Sequence, residues 1–265
     1  MFLPNNWAPR DYQLPLWSYL EHGGREAVAC WHRRAGKDEV GLHRAACAAH
    51  ERPANYWHML PEATQARKAI WDAVNPKTGK RRIDEAFPPE LRANTRENEM
   101  LIKFKYVAST WQVVGSDNFN SLVGSSPAGI VYSEWPLAKP AARGFLAPII
   151  AENNGWELFI YTPRGRNHGL STLEAARKTP GSFAQVLTAT DTGAISELTL
   201  ARELKRYVDN YGLDDGTALY NQEYFCDFNA ANIGAILGRY VARAETEGRI
   251  NECAYDPDGA PVEVS

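Results

Sequence analysis

Long apolar runs are missing from this chain. Its 265 residues are 44% hydrophobic and 23% charged. No stretch approaches the ~18 consecutive apolar residues that a membrane-spanning helix needs. The first eleven residues also lack the basic start and apolar run of a signal peptide. We therefore expect no membrane partner.

Cysteine is scarce and charge is nearly balanced. The four cysteines are scattered and form no CxxC pair, which favours free thiols in a reducing compartment over disulfides or a metal site. The formal net charge is −3, so overall charge does not support nucleic-acid binding, and any basic surface must be local. We find no internal repeat and no low-complexity segment.

Strand-like and helix-like segments alternate along the chain, which is typical of a mostly parallel β-sheet flanked by helices. Strands are predicted at 26–31, 55–60, 128–133, 155–162 and 183–189, with a pair at 101–108 and 111–115. Apolar residues at helical spacing predict helices after the first, second and third of these, for example Leu42, Ala45, Ala46 and Ala49. Residues 75–89 are predicted to be a loop.

The character of the chain changes near residue 197. Residues 196–212 have a helical pattern with Gly212 as C-cap, and helices are expected to continue to about Thr246. The remaining tail is rich in Pro, Gly and Asp and is interpreted as a linker. We therefore predict an α/β core in residues 1–200 and a small helical lid or linker subdomain in residues 201–265.

The segment WHRRAGKD, residues 31–38, joins the first predicted strand to a helix. A strand, a short loop ending in Gly-Lys and a helix is the context of a phosphate-binding loop. Backbone N–H groups at the helix start favour phosphate oxygens, and Lys37 would reach the β- and γ-phosphates. The match alone is weak, because Trp31 occupies the usual first glycine position. A surface turn with a solvated basic cluster is the alternative.

A second motif strengthens the first. The apolar strand at 128–133 ends in Ser133 and Glu134. An ATPase of this type needs a carboxylate at that point to orient the attacking water, which predicts Glu134 as catalytic. Phosphate-loop enzymes hold Mg²⁺ with a hydroxyl from the loop and a carboxylate from the strand. Here Asp38 and Ser133 have exchanged places, so we predict that they form a reciprocal Mg²⁺ site.

Four further segments accompany the two motifs: PRDYQLPLW at 9–17, LPEATQARKAIW at 60–71, YTPRGRNHG at 161–169 and YNQEYFCDF at 220–228. Together they resemble the ATPase domain of the large terminase subunit of tailed bacteriophages, over nearly the whole chain. The resemblance implies a P-loop NTPase that uses ATP and Mg²⁺ to drive double-stranded DNA into a procapsid. Its implied nucleotide-binding residues are Tyr12, Gln13, Arg33, Arg34, Ala35, Gly36, Lys37 and Asp38.

The same resemblance implies further roles and partners. Gln13 would read the base with Tyr12 packed nearby, and Thr162 and Asn167 would couple hydrolysis to movement. The partners would be double-stranded DNA, a portal protein, a small terminase subunit and further copies of this chain in a ring, commonly of five. The place would be the procapsid portal in the host cytoplasm. A C-terminal nuclease domain would follow, so we expect no nuclease activity here.

Candidate DNA contacts come from a local basic cluster, Lys77, Lys80, Arg81 and Arg82. Lys and Arg suit sequence-independent contact with phosphates. A solvated charge run is the alternative interpretation.

One departure concerns an arginine that many relatives place before the strand ending in the catalytic Glu. Their Leu-Arg-Gly is Leu122-Val123-Gly124 here. If a neighbouring subunit supplies an arginine, Arg143 is the first candidate, followed by Arg164 and Arg166. The alternative for Arg143 is an ordinary surface arginine.

Three rival functions remain open from the sequence. They are a small-molecule phosphotransferase, a helicase-like ATPase, and a ring scaffold that binds nucleotide without hydrolysing it.

Overall fold

The computed structural model describes residues 3–4, 7–122, 124–229, 244 and 247–250. Residues Met1–Ala230 form one compact unit, and residues Ala231–Ser265 form a second. Val123 and the predicted helices after residue 229 lie outside the described residues, apart from the few named above.

The first unit is built on one eight-stranded sheet. Its strands are β1 Glu26–Trp31, β2 Asn55–Leu60, β3 Arg92–Arg96, β4 Leu101–Phe104, β5 Thr110–Gly115, β6 Pro127–Ser133, β7 Trp156–Tyr161 and β8 Phe183–Leu187. The order across the sheet is β3-β4-β5-β2-β6-β7-β1-β8. Strands β5, β2, β6, β7, β1 and β8 are parallel, whereas β4 and β3 are antiparallel additions at one edge.

Nine α-helices accompany the sheet within the described residues of this unit. They are α1 Leu14–Glu21, α2 Lys37–Glu51, α3 Ala63–Ala66, α4 Arg82–Ala86, α5 Pro140–Glu152, α6 His168–Lys178, α7 Ala189–Thr192, α8 Glu197–Tyr211 and α9 Leu213–Phe225. A π-helical turn, Arg67–Trp71, continues α3. Short 3₁₀ segments lie at Asp11–Gln13, Pro89–Leu91, Ser116–Leu122 and Trp135–Leu137.

Two hydrophobic layers cover the two faces of the sheet. Alternate residues of each strand point to opposite faces, so Ala29 belongs to one layer and Cys30 to the other. Helices α1, α2, α3 and α4 fill the first layer, and α5 and α6 fill the second. Strands β1, β2, β6 and β7 are buried on both sides, which explains their nearly unbroken apolar sequence.

The sheet confirms the predicted fold class, and it also shows what the sequence pattern missed. The segment predicted as a loop at 75–89 contains helix α4 and a β-bridge between Val74 and Arg81. Strand β3 was not predicted, because its sequence RANTR is polar and mostly exposed. Phe145 of α5 is 46% exposed, although its spacing from Ala142, Leu146 and Ile149 is that of an apolar helix face.

Helices α8 and α9 pack against each other beside the sheet. No residue of α8 is fully buried, and it contacts the rest through a small aromatic cluster that includes Tyr207, Tyr220 and Tyr224. The predicted C-cap Gly212 is observed at the end of α8. The boundary near residue 200 stays a prediction. None of the helices in the described part of the chain has the length and apolar character needed to cross a membrane.

Candidate nucleotide-binding site

The topology brings the predicted motifs together at the carboxyl ends of neighbouring strands. Strands β1, β7 and β6 are parallel neighbours in the order β6-β7-β1, so their carboxyl ends lie side by side. The Gly-Lys loop follows β1, Thr162 follows β7, and Ser133 and Glu134 end β6. Open parallel sheets bind ligands beyond the carboxyl ends of their strands. These motifs therefore share one site.

The loop between β1 and α2 is held in an uncommon backbone conformation. Arg34 has φ of 68° and Gly36 has φ of 75°, both in the left-handed region. A side chain at Gly36 would meet Gln13 Nε2 at 2.9 Å. No side chain caps the N-terminus of the 15-residue helix α2, so its first N–H groups are available to an anion.

Tyr12 and Gln13, predicted to bind the base, brace this loop in the structure. Gln13 is 1% exposed, and its Nε2 donates to Ala35 O at 2.9 Å while its Oε1 accepts from Arg10 N at 3.0 Å. Tyr12 Oη also donates to Ala35 O, at 3.1 Å. In this conformation both the oxygen and the nitrogen of the Gln13 amide are hydrogen-bonded within the chain. A base-reading role for Gln13 stays a prediction, and the structure shows a loop-bracing role.

Lys37 lies under the loop. Its Nζ donates to Trp31 O, His32 O and Thr162 Oγ1, each at 3.0 Å, and burial lowers the pKa of this ammonium group. Thr162 in turn donates to Trp31 O at 3.1 Å. The predicted lysine and the predicted coupling threonine are thus in direct contact.

Asp38 and Ser133 are hydrogen-bonded. Ser133 Oγ donates to Asp38 Oδ1 at 2.7 Å, and His58 Nε2 lies 3.3 Å from the same oxygen. Burial alone would raise the pKa of Asp38, but the hydrogen bonds from His58 and Ser133 and the positive charge of Arg82 hold it down to about 2. The carboxylate is therefore ionised at neutral pH. The two residues predicted to have exchanged roles are therefore in direct contact.

Glu134 follows β6 in a strained conformation, with φ of 53°. A non-glycine residue in this region costs roughly 1–3 kcal/mol and is often found at functional sites. Burial raises the pKa of Glu134, while Lys37 and Arg164 partly offset that effect. Within the described residues its buried Oε2 has no hydrogen-bond partner. Such an atom is suited to accept a hydrogen bond from a bound molecule.

A buried glutamate that sequence reasoning did not select links three parts of the site. Glu223 of α9 accepts from Arg33 Nη1 at 3.2 Å and from Arg164 Nη1 at 2.5 Å. Arg164 Nη2 also lies 4.0 Å from Glu134 Oε2. Helix α9 is thus joined to the phosphate loop and to the catalytic candidate. The only sequence signal was the position of Glu223 within YNQEYFCDF.

Asn167 caps helix α6, and within the described residues none of its hydrogen bonds is to the phosphate loop. Its Oδ1 accepts from Gly169 N at 2.9 Å, and its Nδ2 donates to Pro136 O at 3.0 Å and Arg164 O at 3.2 Å. It therefore ties the segment after Glu134 to the loop that carries Arg164.

The basic cluster predicted to contact DNA lies across a cleft from the phosphate loop. The cleft has a volume of about 1430 Å³, and its walls include Gly36, Arg34 and all of residues 75–82. Arg81 pairs with Asp84 at 3.0 Å and Glu97 at 3.3 Å, and Arg82 pairs with Glu39 at 3.5 Å. Lys77 and Lys80 are exposed. Their contact with DNA stays a prediction.

Arg143 lies at the other end of the strands from the phosphate loop. It projects from α5 to Glu26 at 2.5 Å and to Glu157 at 3.3 Å, and these two residues face each other at the amino ends of β1 and β7. It is not part of the site of its own chain. The expectation of an ordinary surface arginine is wrong, because two carboxylates and the ring of Phe159 at 4.6 Å enclose the guanidinium. Action on a neighbouring subunit stays a prediction.

Asp38 and Ser133 fit an Mg²⁺ ion by their chemistry, since both present oxygen at the rim of the phosphate loop. In nucleotide sites Mg²⁺ is usually held by one or two such protein groups together with phosphates and water. Within the ranges that the structure describes, no group of three or more His, Cys, Asp and Glu side chains could hold a metal ion by itself.

The arrangement defines the class of the fold, which is that of the P-loop NTPases: a mostly parallel sheet with a Gly-Lys loop, and a strand inserted between the loop strand and the strand that ends in Glu134. Solved structures with this fold include the large terminase ATPase domain of Thermus phage P74-26, with 19% identity and a TM-score of 0.59. That match covers 84% of this chain and 100% of the other.

Two further solved structures are of a large terminase from a thermophilic bacteriophage, one in complex with ADP and one with ATP-gamma-S. Each has 14% identity, with TM-scores of 0.62 and 0.61. They match 82% and 83% of this chain, which spans about half, 53%, of the other protein. No protein-family model and no curated protein matches the sequence. The resemblance to large terminase ATPase domains is thus confirmed in the fold.

Proposed function

We propose that this chain is the ATP-hydrolysing motor domain of a terminase that packages double-stranded viral DNA. One observation carries the proposal. Lys37, Thr162, Ser133 and Glu134 come from three parallel strands and the loops that follow them, and meet around one anion-accepting loop. They do so in a fold shared with large terminase ATPase domains.

The side chains divide the chemistry between them. The loop N–H groups bind phosphate oxygens, and Lys37 exchanges its carbonyl partners for the β- and γ-phosphates. Glu134 orients the attacking water, for which its unpartnered Oε2 is available among the described residues. Arg34 lies exposed where the cleft meets the loop, so it can offset charge that develops on the γ-phosphate.

Asp38 and Ser133 are the residues that would hold Mg²⁺. The ion would neutralise charge on the β- and γ-phosphates. Because Asp38 is already ionised, it needs to lose no proton to act as a ligand.

Coupling to movement uses the contacts of Arg164. This arginine connects Glu134 to Glu223, so a change in the phosphates near Glu134 alters the attachment of helix α9. Thr162 reports the position of Lys37, and Asn167 fixes the loop that carries Arg164. We propose that α8 and α9 move in response.

The proposed partners follow from this role. They are double-stranded DNA, a portal protein, a small terminase subunit and further copies of this chain in a ring of about five, at the procapsid portal in the host cytoplasm. The ring would supply the multivalency that a domain of net charge −3 needs to hold DNA. Lys77 and Lys80 are the exposed candidates for DNA contact.

The test compares hydrolysis with binding. Phosphate release is measured at high protein concentration for the unaltered chain, for Glu134→Gln and for Glu174→Gln, an exposed control on α6. A fluorescent ATP analogue reports binding for all three. We expect Glu134→Gln to bind nucleotide and to lose about 10³-fold in hydrolysis, the scale of a positioned general base. Glu174→Gln should match the unaltered chain.

Two other results would point elsewhere. Nucleotide binding without turnover by the unaltered chain would support the non-hydrolysing ring scaffold. Hydrolysis that needs single-stranded DNA, with no DNA translocation by the chain assembled on portal-bearing procapsids, would support a helicase-like ATPase.

A further inference from the structure

We infer that His58 is a positioning residue for the unusual loop aspartate: it fixes Asp38 Oδ1 so that Oδ2 remains available to the nucleotide-bound cation. The inference rests on the proposed function. It concerns a residue on β2, outside all of the motifs described above.

His58 is fully buried beside Asp38. Its side chain is 0% exposed, and its Nε2 lies 3.3 Å from Asp38 Oδ1. Its Nδ1 has no hydrogen-bond partner within the described residues. Because a carboxylate accepts hydrogen bonds, Nε2 is the donor. The one polar contact that justifies burying this imidazole is therefore the contact with Asp38.

The two oxygens of the Asp38 carboxylate have different partners. Oδ1 receives both Ser133 Oγ, at 2.7 Å, and His58 Nε2. Oδ2 faces Arg82 Nη1 at the much longer distance of 4.0 Å. A loop Ser or Thr has a single oxygen, whereas Asp has two and can rotate. Two donors on Oδ1 restrict that rotation, and Oδ2 stays on the side of Arg82.

A small residue lies in the overlying helix. Gly41 lies in α2, one turn after Asp38, where glycine costs about 1 kcal/mol relative to alanine. A methyl group there would meet Val131 Cγ1 at 2.9 Å and His58 Cε1 at 3.4 Å. The helix therefore gives up stability at the position where the imidazole and β6 pack beneath it.

The experiment separates metal-dependent from metal-independent binding. The affinity for a fluorescent ATP analogue is measured in Mg²⁺ and in EDTA, and the ratio of the two is compared among variants. His58→Phe keeps an aromatic ring and removes the donor, whereas His58→Gln can place an amide N–H near the position of Nε2. His50→Gln is the control, because His50 lies at the last turn of α2 and donates to Ala46 O at 2.8 Å.

We expect His58→Phe to lose about 10-fold of the Mg²⁺-dependent gain in affinity, the scale found for residues that orient metal ligands. Its affinity in EDTA should stay within about twofold of the unaltered chain. His58→Gln should recover most of the loss, and His50→Gln should lose nothing. If His58→Phe fails to fold, His58→Asn takes its place, because its amide is too short to reach Asp38.

Two results would overturn the inference. One is an unchanged Mg²⁺ ratio in His58→Phe or His58→Asn. The other is an equal loss in Mg²⁺ and in EDTA, which would make His58 an ordinary core residue. If the unaltered chain itself shows no Mg²⁺-dependent binding, the proposed function fails rather than the role of His58.

Discussion

Strands β1 and β7 carry an ion cluster at each end, and the two clusters differ in what they leave open. At the amino ends, Arg143 lies between Glu26 and Glu157 and against the ring of Phe159, so its charge is used inside the chain. At the carboxyl ends, Lys37 donates to two backbone carbonyls, and Glu134 Oε2 lacks a hydrogen-bond partner among the described residues.

The difference follows from what covers each end. Helix α5 places Arg143 directly over the paired carboxylates, whereas at the carboxyl ends the phosphate loop borders a cleft through Arg34 and Gly36. In the first cluster the charges hold strands and helix together. In the second, we propose, they serve a bound ligand. The comparison predicts that mutations at one end affect chemistry, and that mutations at the other affect stability.

The largest expected effect is at Lys37. Lys37→Met should lower ATP hydrolysis by about 10³-fold or more, because a cation that offsets developing phosphate charge is removed. Steady-state phosphate release measures the loss, and Lys178→Met, at the exposed end of α6, is the control. A Lys37→Met chain that hydrolyses ATP at half the normal rate would refute the functional interpretation of this end.

The next effect tests the exchange of Asp38 and Ser133. Asp38→Ser and Ser133→Asp should each lower hydrolysis by about 10²-fold, and the double variant should recover part of the loss, since it restores one hydroxyl and one carboxylate. Phosphate release over a range of Mg²⁺ concentrations checks this. A double variant no better than the worse single variant would contradict the exchange.

At the other end, Arg143→Met should destabilise the fold by about 3 kcal/mol, because two partly buried carboxylates lose their partner. Urea unfolding measures that loss. Hydrolysis per folded molecule should stay unchanged in the isolated chain. Loss of hydrolysis only in assembled rings would instead establish Arg143 as the arginine supplied to a neighbouring subunit.

The smallest effect concerns Glu223, which forms ion pairs with Arg33 and Arg164 and would compete with a bound phosphate for them. Glu223→Gln should bind ATP roughly 5-fold more tightly, about 1 kcal/mol, because the arginines no longer leave an ion pair on binding. Equilibrium titration with a fluorescent ATP analogue measures the change. Glu26→Gln is the matched control and should leave ATP affinity unaltered. Weaker binding by Glu223→Gln would mean that Glu223 holds the arginines in their binding positions.

The local sequence pattern predicted much of the fold and part of the site. Strands β1, β2, β6 and β7 are buried on both faces, so their short apolar runs stand out in the sequence. Glu134 could be predicted because it follows such a run directly, and Lys37 because it follows one after a short loop. Strand β3 could not be predicted, since its polar sequence pairs only at the edge of the sheet.

Contacts between distant segments were harder to predict. Gln13 braces the loop 22 residues away, and Glu223 reaches Arg33 across 190 residues. His58 has no motif around it, and its importance appears only beside Asp38. Arg82 was grouped with Lys77 and Lys80 by sequence, but folding places it against Glu39.

The sequence by itself determined the strand–loop–helix unit at Lys37, the acidic strand end at Glu134 and the alternating α/β pattern, because these depend on neighbours within a few residues. The tertiary structure decided which charges meet. The strand order puts β7 between β1 and β6, which brings Asp38 to Ser133 across 95 residues. Arg143 lies at the amino ends of β1 and β7, away from that site. The physical reason is that side-chain ion pairs and hydrogen bonds act over a few ångströms, and only the folded sheet sets those distances.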